Sequence, residues 1–92
     1  SGHPVACAVA LANLEIMEAE QLPQRVRGEA GAYFAKRYAE LNDHPLVGMA
    51  ETCGFVAGLV LVKNKQTKER FNENDAVGMV CRGHCFRNGL TA

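Results

Sequence analysis

Ninety-two residues, 48% apolar and 22% charged, make at most one domain, and the composition of an ordinary globular protein excludes a disordered chain. Ten basic and ten acidic side chains cancel, which excludes the basic surplus of a dedicated nucleic-acid or anionic-membrane binder. No apolar run approaches the roughly 20 residues of a membrane span, and no basic segment precedes an apolar core as in a secretory signal.

The first predicted element is a helix over Pro4–Glu20. Ser1 or Gly2 serves as its N-cap, and Pro4 stands where a missing N–H costs nothing. Val5, Val9, Ala12 and Ile16 repeat at helical spacing, and Leu11, Leu14 and Met17 widen the stripe. The first turns carry no charge, so this part is expected to lie nearly surrounded by protein. Glu15, Glu18 and Glu20 have the wrong sign for the C-terminal helix dipole and are expected to face solvent or a basic partner. Gln21-Leu22-Pro23 ends this helix and starts a second, whose repeat of Val26, Ala30, Tyr33 or Phe34, Arg37 or Tyr38, and Leu41 runs to about residue 41. Gly28 and Gly31 each cost it about 1 kcal/mol relative to alanine, and close approach of another backbone accounts for them. Asn42-Asp43-His44-Pro45 stops it.

From Leu46 the period changes. Leu46–Thr52 and Phe55–Val62 read as two strands joined near Cys53-Gly54. The second is apolar on both faces, as in a sheet covered on each side. The first two helices are expected to cover one face, and no predicted element is left for the other. Lys63–Arg70, with four basic residues, reads as a solvated loop. Asn74 or Asp75 then caps a third helix bearing Val77, Val80, Cys81, His84 and Cys85 on one face, and Asn88-Gly89 stops it. Leu90-Thr91-Ala92 begins another strand. The expected fold class is α+β, with helices packed on a small antiparallel sheet.

The four cysteines, Cys7, Cys53, Cys81 and Cys85, read as reduced thiols of a cytoplasmic protein, most of them small buried hydrophobes, because a core this rich in Val, Leu, Ala and Phe does not need a disulfide framework. Cys81-x-x-His84-Cys85 places thiolate and imidazole ligands on one helical face, yet zinc asks for four partners, and Cys7, Cys53, His3 and His44 are scattered. The expected metal site is none. Adjacent helical residues point about 100° apart, so His84 does not serve Cys85 as a general base. Tyr33 and Phe34 read as core. Glycine-rich phosphate loops, a Gly-x-Ser-x-Gly elbow and a His-Glu-x-x-His pair are absent from the sequence.

Several segments, taken in order, carry a resemblance. They are Ser1-Gly2-His3-Pro4, Asn13-Leu14-Glu15-Ile16, Leu41-Asn42-Asp43-His44-Pro45-Leu46-Val47-Gly48, Gly58-Leu59-Val60-Leu61-Val62-Lys63, and Val80–Phe86 followed by Asn88-Gly89-Leu90. Together they resemble the C-terminal small domain of class III pyridoxal-phosphate-dependent aminotransferases of the ω-amino acid:pyruvate and putrescine type. The resemblance covers nearly the whole chain. It departs from the family at Glu51, where an arginine is common, and at Val60, where a glutamate is common.

The resemblance implies a fold-type I homodimer or higher oligomer that moves an amino group from an amine or ω-amino acid to pyruvate or another keto acid. Pyridoxal 5'-phosphate would be held as a Schiff base by a lysine upstream of Ser1, matched by none of Lys36, Lys63, Lys65 or Lys68. The family's phosphate-contacting threonine precedes Ser1, and its carboxylate-pairing arginine follows Ala92. Residues 1–92 are therefore expected to be a small-domain fragment with no catalytic, cofactor-binding or substrate-binding residue of its own, and inactive alone. The expected partners are the large domain, a second subunit and other copies of the fragment, with no nucleic acid and no membrane. The alternative is a free-standing, non-enzymatic interaction or regulatory module.

Overall fold

The structure, a computed structural model, describes residues 2–91. Helix α1 (Pro4–Ala19) opens on His3, whose backbone is extended and whose Nδ1 accepts from the Ala6 N–H at 3.5 Å. That corrects the expected cap: His3 serves rather than Gly2, and Ser1 lies outside the described residues. Pro4 occupies the first turn as expected. Gln21, in the left-handed region at φ 51°, turns the chain into α2 (Leu22–Arg27). There the single second helix of the sequence reading divides. The backbone leaves the helical region at Gly28 and resumes as α3 (Glu29–Ala39), which tightens into a 3-10 turn over Glu40–Asp43.

Gly31 is the buried residue of α3 and shows why glycine stands there. A Cβ at Gly31 would lie 1.8 Å from the Val26 carbonyl oxygen, so the α2–α3 bend depends on its absence. The close approach anticipated for Gly31 is thus to the chain's own backbone. Phe34 of α3 meets Phe55 edge-on at 5.8 Å and Tyr38 at 5.6 Å, the offset geometries that aromatic quadrupoles favour. Tyr33 points away and is 67% exposed, so only Phe34 of the expected pair is packed.

Strands β1 (Val47–Cys53) and β2 (Val56–Leu61) form an antiparallel hairpin in register Cys53↔Val56 and Ala50↔Leu59. The loop is two residues long, with Gly54 at φ 60° in its first position, as a type II′ turn requires. The register slips between Val47 and Met49, leaving Gly48 bulged beneath Val62, whose Cγ1 would be 2.7 Å from a Cβ there. Val47, Ala50 and Val62 are the buried apolar residues among those described.

The hairpin rests on α3 and the 3-10 turn, while the main neighbour of α1 is α2 rather than the sheet. The expectation that the first helix covers the sheet is therefore corrected. Its apolar side chains lie open instead of enclosed, with Val9 63% exposed. Asn64 Oδ1 accepts from the Gln66 and Thr67 N–H groups, which folds the Lys63–Arg70 segment into an exposed turn.

Neither Asn74 nor Asp75 caps the last helix. Asn72 caps a 3-10 turn over Glu73–Asp75, and Ala76, left-handed at φ 45°, leads into α4 (Val77–Arg87) without a side-chain cap. The far end follows the sequence reading: Gly89 at φ 88° closes a Schellman motif, with Leu90 N–H donating to Cys85 O and Gly89 N–H to Phe86 O. Leu90 and Thr91 run on without strand pairing, and Ala92 lies outside the described residues.

Candidate functional site

The side chains that could carry chemistry are dispersed. Lys36 stands on α3, and Lys63, Lys65 and Lys68 on the polar turn, all of them exposed. Lys63 pairs with Glu69 at 3.8 Å, and Lys65 Nζ donates to the Asn42 carbonyl. A lysine that holds pyridoxal phosphate needs a cleft that shields the imine from water. Among the described residues, none of the four lines one of the principal grooves. Among the described residues there is also no group of three or more His, Cys, Asp or Glu placed to hold a metal ion.

All four cysteines are free thiols. Cys7 on α1 and Cys53 at the end of β1 are exposed, and Cys81 and Cys85 on α4 are half-buried. The expected burial of most cysteines is thus corrected. The neighbours that would bury Cys7 and Cys53 are not contributed by the elements described. Cys81 and Cys85 are one helical turn apart on α4; burial, then the neighbouring Cys85, holds the Cys81 thiol above its ordinary pKa. His84 projects elsewhere, with Nε2 3.5 Å from Asn88 Nδ2.

What the fold does assemble is apolar surface. Val5, Val9, Leu11, Leu14 and Ile16 of α1 are all more than half exposed. A groove of about 690 Å³ runs between β2 and the segment leading into α4, lined by Leu59, Leu61, Phe71, Val77 and Met79 among others. Its floor is one edge of the hairpin. The opposite edge is closed by Asn42, whose side-chain amide accepts from Ala50 N–H at 2.9 Å and donates to Ala50 C=O at 3.1 Å. Ala50 therefore directs its polar groups away from β2. Its partner Leu59, in a pair without mutual ladder bonds, directs its own toward the groove. Among the described residues no helix is long and apolar enough to cross a membrane. Sequence reasoning found the apolar strand but not the groove, whose wall comes from the segment between Arg70 and Met79, beyond the polar turn.

This arrangement matches part of solved transaminases. A transaminase from ancestral-reconstruction work on directed evolution superposes with a TM-score of 0.89 at 40% identity, over 99% of this chain and 20% of that one. A thermostable (S)-enantioselective omega-transaminase from Thermomicrobium roseum superposes with a TM-score of 0.86 at 36% identity, over 98% of this chain and 20% of that one.

In sequence, the chain is 58% identical to the putrescine–pyruvate aminotransferase of Pseudomonas aeruginosa strain PAO1, over 98% of its own length and 20% of that protein's. It is 50% identical to an uncharacterized aminotransferase of Bacillus subtilis strain 168, over 74% of its own length and 15% of that protein's. No family model matches the chain. The chain is a homologue of aminotransferases, aligned with the C-terminal part of their polypeptides, and spans about a fifth or less of the curated relatives it matches.

Proposed function

We propose that this chain is the C-terminal small domain of a pyridoxal-phosphate-dependent aminotransferase, of the class III type that moves an amino group from an amine or ω-amino acid to pyruvate or another keto acid. The observation that carries this reading is the 58% identity to a putrescine–pyruvate aminotransferase over 98% of the chain. The exposed apolar faces of α1 and β2 support it: they are surfaces for the remaining four-fifths of such a protein to cover.

In this reading the lysine that carries the cofactor, the residues that hold its phosphate and the arginine that takes the substrate carboxylate belong to that remainder. The residues of this chain act as scaffold. Asn42 and the Phe34–Phe55 contact fix the hairpin on α3, and the groove beside β2 receives neighbouring polypeptide.

A segment exchange tests it. The matching fifth of the Pseudomonas aeruginosa enzyme is replaced by this chain, and amino transfer from putrescine to pyruvate is measured. The exchanged enzyme is expected to turn over, and the chain alone to be inactive with added pyridoxal phosphate. A folded exchanged enzyme that binds the cofactor but transfers no amino group, or a saturable lysine adduct on the chain alone, overturns the reading.

A further inference from the structure

We propose that Cys81 and Cys85 form a dithiol clamp for monosubstituted trivalent arsenicals, compounds in which arsenic keeps one carbon substituent and has two valences open to sulfur. The two residues stand at i and i+4 on α4 and so share a face of the helix one turn apart. Side chains four apart on a helix have their Cβ atoms about 5–6 Å from one another, which keeps the two sulfurs within reach of one small ligand. Both are half-buried, so a small ligand reaches them while the helix holds them in place.

The donor set selects the ligand. Zinc takes four partners in structural sites, and no third His, Cys, Asp or Glu completes a cluster among the described residues. Hard cations take oxygen ligands, and none is supplied here. A monosubstituted arsenical needs two sulfurs and no more.

The reaction balances without an oxidant. The arsenic–oxygen bond of phenylarsine oxide breaks, two arsenic–sulfur bonds form, and both thiol protons leave with the oxygen as one water. Arsenic stays trivalent. The neutral thiols are the net reactants, so a Cys81 pKa held high by burial and by Cys85 does not oppose the product. Once one bond has formed, the second thiol attacks from one helical turn away, at the high effective concentration of an intramolecular partner. Cys7 and Cys53 stand on different elements, α1 and β1, and lack such a neighbour on their own element. This proposal does not rest on the aminotransferase reading.

The experiment uses the 92-residue chain and phenylarsine oxide. After binding at one equivalent, free thiols are alkylated and mapped by peptide mass spectrometry. Cys81 and Cys85 are expected to be protected together and Cys7 and Cys53 to be alkylated. Excess glutathione, a monothiol, is expected to leave the adduct in place, and 2,3-dimercaptopropanol to remove it. In the Cys81→Ser or Cys85→Ser chain, affinity is expected to fall about a hundredfold, and glutathione then strips the arsenical. The mapping is done on the unsubstituted chain, so misfolding of a variant cannot hide the answer. Protection of one of the two cysteines without the other, or equal loss to glutathione with and without both thiols, overturns the proposal.

Discussion

Asn42 is the residue on which the hairpin turns. Its amide spans Ala50, accepting from the N–H and donating to the C=O, and also donates to Ala39 O at 3.1 Å. One side chain thus does for the edge of β1 what a neighbouring strand would do, and ties that edge to the end of α3. Asn42→Ala leaves the half-buried groups of Ala50 without partners, a loss of about 1–3 kcal/mol. A clear drop in the urea midpoint at unchanged slope is the expected reading, and an unaltered midpoint would show that water replaces the amide at no cost. The sequence placed the helix stop at Asn42-Asp43-His44-Pro45, whereas α3 ends at Ala39 and Asn42, within the 3-10 turn that follows, donates back to the Ala39 carbonyl. Its second task was not legible, because the partner lies eight residues away and is fixed by how the 3-10 turn meets β1. His3 shows the same limit at shorter range: serine and glycine are the commoner caps, yet the residue beside Pro4 holds the extended backbone from which a ring nitrogen reaches Ala6.

At the level of elements, the reading succeeded where the signal was local and failed where a neighbour decided. Pro4, the two-residue hairpin loop at Gly54 and the Gly89 terminator each announce themselves through a backbone requirement that few residues meet. The break between α2 and α3 does not. The apolar repeat from Val26 through Tyr38 continues across Gly28 in phase, so periodicity alone reads one helix. The start of α4 is similar, since Ala76 at φ 45° satisfies no preference of alanine and is held there by the preceding 3-10 turn. Gly31 tests the account of the α2–α3 bend. In an unbroken helix, Gly31→Ala would stabilise by about 1 kcal/mol through propensity. In the bent arrangement the new methyl meets the Val26 carbonyl at 1.8 Å, and main chain must move to admit it. The expected outcome is therefore destabilisation by about 2–3 kcal/mol, a sign opposite to that of propensity. Thermal or urea unfolding decides it, and a stabilised Gly31→Ala chain would restore the single helix.

The molecule as a whole is too open for its length. A compact domain of this size has a radius of gyration of about 12 Å, whereas this chain measures 18.0 Å with extents of 50 × 32 × 23 Å. Its accessible surface is 7888 Å², against about 5,200 Å² for a compact protein of its mass. The excess is of the order one partner contributes to a large obligate interface. Much of it falls on α1, on α4, whose Phe86 is 71% exposed, and on β2, whose Val56 is 75% exposed.

Of those surfaces β2 is the most reactive, because it alone is a strand edge. Its outer edge carries unpaired backbone groups at Leu59, no residue from Val56 through Leu61 is charged or proline, and the facing groove has room for an extended segment. The net charge of zero supplies no repulsion between copies. The isolated chain is accordingly expected to associate with itself through β2, with a sedimentation mass that rises with concentration. Two substitutions address that edge. Val56→Lys sets a charge on an exposed strand position. Leu59→Pro removes the N–H that points into the groove without taking a bond from the β1 ladder. Both chains are expected to sediment as monomers where the unsubstituted chain does not. If α1 drives the association instead, neither substitution changes the mass, and Val9→Lys does. An unsubstituted chain that stays monomeric at high concentration would mean that it folds its own apolar faces inward, with a scattering radius near the compact value rather than 18.0 Å.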